Sequence, residues 1–151
     1  MLAWRIAKER HALDRTGAGG LAVAGRWHQI GQPVIYAGLS VAIASFEKLV
    51  HTGSTLPKDL MLVEVELPDD PKLYEQPAAG SLPSGWDAVP SNDASSNFGA
   101  EFLRARRALG LIVPSAVLPE ERNLVINPLH PRFTDATMKV VRKFDFDERL
   151  A

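Results

Sequence analysis

Gly25-Arg26-Trp27-His28-Gln29-Ile30-Gly31-Gln32-Pro33-Val34-Ile35-Tyr36-Ala37 sets a cation, two aromatics and turn-forming glycines ahead of a short apolar run. Val34 to Ala37 reads as a strand. Arginine stays charged in a protein and offers a planar fork of donors suited to phosphate or carboxylate, while tyrosine presents a flat face and a polar tip. Arg26, Trp27 and Tyr36 together suit a phosphorylated, ring-bearing ligand. Taken singly, each also fits a structural role, Arg26 in a surface ion pair and the two aromatics in the core.

Before this stretch, Leu2 to Ala7 reads as an opening strand with Trp4 and Ile6 on one parity. Thr16-Gly17-Ala18-Gly19-Gly20 lacks the spacing of a dinucleotide fingerprint and reads as a mobile approach to Arg26, with backbone amides available to an anion. After it, Ser40 caps a helix over Val41 to His51, with Gly53 just past its end. Glu47 lies at the margin of that helix's apolar stripe. A carboxylate so placed is paired, functional, or one of a solvated pair with Lys48.

Farther along, Asp59 to Leu67 alternates Met61, Val63, Val65 and Leu67 against Glu64 and Glu66, which predicts a strand in a sheet with one wet face. Residues 68–92 carry Pro71, Pro77, Pro83 and Pro90 and read as a long irregular connection, either a lid or partner-binding loop or a segment without order. A helix is expected from Ser91 or Asn92 through Leu109, stopped by Gly110, with Arg104, Arg106 and Arg107 as a solvated basic face. Leu111 to Val117 is strand-like, with Pro114 demanding an edge or a bulge. Ser115 beside that break is either a core serine or a ligand contact. Asn123 to Asn127 forms another strand, Leu129 to Phe133 a turn, and Thr137 to Phe146 a last strand with Val140, Phe144 and Phe146 on one parity.

At 151 residues the chain is expected to fold as one domain. Its 46% hydrophobic and 23% charged residues argue against wholesale disorder. A formal charge of -1 disfavours general attraction to nucleic acid or anionic membrane. There is no cysteine, hence no disulfide framework and no thiolate nucleophile. His11, His28, His51 and His130 lack metal-ligand spacing, and no segment reads as a leader or a membrane span, so the expected location is the cytoplasm. Composition and periodicity alone lead to an α+β domain with an anion and ring pocket.

Several motifs in order are more specific than any one: Gly25-Arg26-Trp27, Gly31-Gln32-Pro33-Val34-Ile35-Tyr36, Phe46-Glu47-Lys48-Leu49-Val50-His51, Val113-Pro114-Ser115-Ala116-Val117, and Asn123 through Pro131. In this order and spacing they resemble the RES domain, a family named after an arginine, a glutamate and a serine. Arg26, Glu47 and Ser115 match those three, and Tyr36 matches a tyrosine that members also place in the pocket. Many relatives read Gly-Gly-Arg-Trp-Asn where this chain has Ala24-Gly25-Arg26-Trp27-His28, a departure at position 28. The resemblance covers nearly the whole chain, residues 1–151 as a single RES domain. It implies an α+β fold with a mixed or antiparallel sheet and few helices, similar to ADP-ribosyltransferase toxins.

The resemblance further implies the toxin of a type II toxin–antitoxin pair, with an Xre-type helix-turn-helix antitoxin as partner and a homodimer within the complex left open. The activity it implies is NAD consumption by hydrolysis or phosphorolysis, with protein ADP-ribosylation or non-catalytic nucleotide or partner binding as alternatives. NAD is then a substrate, with no prosthetic group or metal. Glu47, Arg26 and Tyr36 are the expected catalytic residues, and Arg26, Trp27, Tyr36, Ser115 and Asn127 the expected NAD contacts.

Overall fold

A computed structural model describes residues 1–151. The strands are β1 Leu2–Lys8, β2 Ile35–Gly38, β3 Leu60–Glu66, β4 Tyr74–Glu75, β5 Gly110–Pro114, β6 Arg122–Ile126 and β7 Thr137–Phe144. They form one seven-stranded sheet in the order β4-β5-β6-β2-β1-β3-β7. Only β4 and β5 run parallel; every other neighbouring pair is antiparallel. With helices α1 Gly19–Ala22, α2 Val41–Val50 and α3 Asp93–Ala105, the architecture is the α+β fold expected above.

β1 is paired with β3 along its length, from Leu2 opposite Glu66 to Lys8 opposite Leu60, yet meets β2 only where Trp4 faces Gly38. The sheet therefore parts between β1 and β2 on either side of that one pair. α2 lies across the parting and packs on both strands. It starts where expected: Ser40 Oγ accepts from Ile43 N at 3.1 Å, a cap worth about 1 kcal/mol. Its residues Ile43 and Ala44 rest directly on Gly38, where a Cβ would come 2.6 Å from Ile43 Cγ2 and 2.9 Å from Ala44 N. Only glycine permits so close an approach.

Both helices cover the same sheet face. α2 closes over Trp4, Ile6, Leu60 and Leu62 together with Phe144 and Phe146. α3 closes over Leu111, Val113 and Val125, and Trp27, Trp86 and Phe98 join that cluster. The opposite face buries Ala3, Ile35, Ala37, Val63, Val65, Leu124 and Ile126 beneath Ala12, Leu73, Phe133 and Ala136.

Four expectations change. β3 does not have one wet face, because α2 covers Leu60 and Leu62, and Glu64 is half-buried beside Lys139 at 3.5 Å. α3 ends at Ala105, with Arg106 in the left-handed region at φ 54. Leu109 cannot stay helical, since its amide donates to Leu73 O at 2.8 Å and its carbonyl accepts from Asn127 N at 2.9 Å, just beyond the ends of β4, β5 and β6. In β7 the register passes from Leu62–Arg142 to Val63–Val140 and skips Val141. That bulge puts Val140 and Phe144 on opposite faces. Finally, residues 68–92 are laid down as short turns and the two-residue β4. Pro114 sits at the end of β5, beyond the reach of β4, where its missing donor leaves no ladder bond unmade.

α3 is seated as closely as α2. A Cβ on Gly99 would overlap the carbonyl of Trp27. Gly99→Ala is therefore expected to destabilise the protein by roughly 1–3 kcal/mol or more, lowering Tm by roughly 2–4 °C per kcal/mol in thermal unfolding.

Candidate functional site

α2 carries Glu47 over the ends of β5 and β6. Its Oε1 accepts from Ser115 Oγ at 2.6 Å and from Asn123 Nδ2 at 2.7 Å. Oε2 has no partner in the fold and is not buried. Ser115 is fully buried, and its hydroxyl also accepts from Val117 N at 3.0 Å and Leu118 N at 3.2 Å. With one proton given and two received, that hydroxyl has no capacity for a ligand. Ser115 holds Glu47.

The turn before β2 positions Arg26. Gly25 and His28 bridge, and Arg26 Nη1 donates to the carbonyls of Trp86 at 2.7 Å and Ala88 at 3.0 Å. Nε and Nη2 remain unpaired and are not buried. Trp27 N donates to the Tyr36 hydroxyl at 3.2 Å, so the turn and β2 are tied together at the phenol. Burial pushes the Tyr36 pKa well above the ordinary phenol value, against the opposing effects of the Trp27 hydrogen bond and the Arg26 charge. Tyr36 pairs with Val125 and Asn123 with Gly38 across β2 and β6. Tyr36 and Asn123 are thus diagonal neighbours on one face, roughly 7–8 Å apart, and Glu47 sits on the latter.

A second cation lies on β1. Arg5 shares the strand face of Ala3, opposite the one that α2 covers, and its Nη1 is buried with no hydrogen-bond partner. Burial lowers its pKa, partly opposed by Asp14. Lys48, next to Glu47, also has a lowered pKa, from burial and then from the charges of Lys8 and Arg5. These cations repel one another, and Asp14 is the acid that acts on Arg5.

The remaining expected residues are engaged elsewhere. Trp27 is 2% exposed, stacked on Trp86 at 6.1 Å and edge-on to Phe98, so its ring belongs to the core. Asn127 is buried, donating to Leu103 O at 3.0 Å and accepting from Leu129 N at 3.0 Å. The Gly-rich approach is not an open anion nest, because the Asp14 carboxylate already accepts from the amides of Thr16, Gly17 and Ala18. Burial alone would raise the Asp14 pKa, but the Thr16 hydroxyl, donating at 2.6 Å, and these amides outweigh it and hold the carboxyl below its usual value.

Sequence reasoning missed Asn123, which holds Glu47. It left a trace, since Asn123 shares the parity of Val125 on a strand that a helix covers. No group of three or more His, Asp or Glu is placed to hold a metal ion.

The RES domain model matches residues 2–147. The chain belongs to the RES domain family. A Prs ADP-ribosylating toxin of Sphingobium sp. is 41% identical over 97% of this chain and 94% of its own length. Toxin Res of Pseudomonas putida is 40% identical over 99% of both. Among solved structures, the M. tuberculosis MbcT–MbcA toxin–antitoxin complex contains a chain that matches at a TM-score of 0.73 with 18% identity, covering 99% of this chain and 85% of that one. At that identity the likeness establishes a shared fold. Of the three residues expected from the resemblance, Arg26, Glu47 and Ser115, the structure joins the last two by a direct hydrogen bond.

Two outcomes follow for stability. Ser115→Ala strands the amides of Val117 and Leu118 as well as one side of Glu47, and should cost roughly 1–3 kcal/mol in denaturant unfolding; Asn123→Ala, which strands no amide, should cost less. Because the Asp14 pKa is lowered on folding, its stabilisation is present above the ordinary aspartate value of about 3.9 and is lost as pH falls through the folded value. Asp14→Asn should flatten that part of the acid-unfolding curve.

Proposed function

We propose that this RES domain cleaves the nicotinamide–ribose bond of NAD as the toxin of a type II toxin–antitoxin pair. Breaking that bond builds positive charge on the ribose, while nicotinamide begins as a cation and departs neutral, so no strong general acid is required. The observation that carries the reading is Glu47: one carboxylate oxygen is fixed by Ser115 and Asn123, and the other is left open. A carboxylate held in this way can stabilise the ribosyl cation without reorganising. Arg26, with Nε and Nη2 unpaired, is suited to the diphosphate, and the Tyr36 ring offers a stacking face.

The acceptor distinguishes the variants of this chemistry. Water or phosphate would deplete NAD; a protein side chain would make the enzyme an ADP-ribosyltransferase. The second reading is favoured by the name of the 41% identical Sphingobium relative, an ADP-ribosylating toxin. The relatives named Toxin Res and the fold shared with a chain of a toxin–antitoxin complex support an antitoxin partner; its Xre type and a cytoplasmic site of action rest on the family resemblance.

Incubating purified protein with NAD and following free nicotinamide tests the proposal. Glu47→Gln keeps the size of the side chain and removes its charge, and should lower kcat by on the order of 10²-fold or more; Arg26→Ala should mainly raise KM. Undiminished release by Glu47→Gln would exclude the mechanism. Label from adenine-labelled NAD appearing on a macromolecule would select the transferase, and binding without release a non-catalytic module.

A further inference from the structure

The role of His28 can be read from its hydrogen bonds. The ring is 4% exposed and both nitrogens are engaged: Nε2 meets Val23 O at 2.7 Å, and Nδ1 meets the Tyr36 hydroxyl at 2.7 Å. A carbonyl only accepts, so Nε2 must carry a proton. In a neutral imidazole Nδ1 is then bare, and the phenol must donate to it. The same hydroxyl accepts from Trp27 N. Its proton therefore has one available direction, toward Nδ1.

We infer that His28 is a positioning residue for Tyr36, which fixes the phenol proton through Nδ1 and makes the Tyr36–Arg26 pocket sensitive to acid. This rests on the proposed role of that pocket in NAD cleavage. Protonation of Nδ1 reverses the bond: the phenol must accept from both Nδ1 and Trp27 N, and its own proton is turned out beside a guanidinium that cannot accept it. There is little room to relax. A Cβ on Gly25 would stand 2.8 Å from His28 Nδ1 and 2.8 Å from the Tyr36 oxygen.

The groups around His28 do not compensate the added charge. α1 and the residues after it present the carbonyls of Gly20 and Val23, β2 presents Tyr36, and the turn presents Arg26, a further cation acting on Tyr36. No carboxylate is among the groups that shift the imidazole. Burial lowers its pKa from 6.5, and the two carbonyls oppose this only in part. In the folded protein the ring thus stays neutral even below the ordinary histidine value, and the pocket is lost as pH falls through the lower, folded value.

Asparagine and glutamine separate the two ring nitrogens. His28→Asn places an untitratable acceptor near the Nδ1 position; His28→Gln places its amide near Nε2 and leaves Tyr36 without an acceptor. Nicotinamide release from NAD should, in the wild type, fall about tenfold per pH unit below the His28 transition. His28→Asn should lack this limb and turn over about tenfold faster at pH near 8 than His28→Gln. A His28→Asn variant with the wild-type acid limb would overturn the inference. Imidazole nitrogen NMR of the ligand-free protein gives a readout independent of turnover: the Nε2–H tautomer is expected, and Tyr36→Phe should change the tautomer balance or the titration midpoint. An Nδ1–H tautomer, or a His28 signal indifferent to Tyr36→Phe, would equally overturn it. Absence of nicotinamide release by the wild type at every pH would defeat the NAD reading instead, and the spectrum would still decide whether His28 holds Tyr36.

Discussion

Two donors converging on one oxygen of Glu47 hold together parts of the chain that are far apart in sequence, since Ser115 lies 68 positions away and Asn123 76. Hydrogen bonds to a charged acceptor contribute roughly 1.5–3 kcal/mol each, and these two share one small oxygen, so helix and strands must be placed to within a few tenths of an ångström. The bare Cα of Gly38 allows that placement by letting α2 settle onto the parting of the sheet. A bulkier residue there would lift the helix and carry the carboxylate away from both donors.

The polar side chains around the parting fall into two sets. Ser115, Asp14 and His28 have their hydrogen-bonding capacity filled from within the fold, and they fix geometry. Glu47 Oε2 and Arg26 Nε and Nη2 have capacity left over. The unfilled set consists of one anion and one cation, and the chain as a whole is almost neutral at -1. Local charge, not net charge, decides which ligand such a surface attracts.

Much of this was legible in the sequence, for identifiable reasons. Strand periodicity and the Ser40 cap are local signals, and β1, β2 and α2 lie where they predict within a residue. The proximity of Glu47 and Ser115 came from family resemblance, because no local pattern links positions so distant. What failed was decided by tertiary structure. α3 ends early because the backbone of Leu109 is claimed by Leu73 and Asn127, and the parity of β7 breaks at a bulge opposite Leu62 and Val63. The amides of the Gly-rich run appear free until Asp14 is seen to fold back on them. Ser115 likewise looked like a ligand hydroxyl until its second and third hydrogen bonds were known.

The segment before α3 meets Arg26 through the main-chain oxygens of Trp86 and Ala88. A main-chain oxygen is supplied by whatever residue occupies the position. The contact is therefore written in the path of the chain instead of in its letters, and substitutions at position 88 that respect that path can accumulate without disturbing the arginine. Position 88 can thus vary while the guanidinium keeps the same two neighbours.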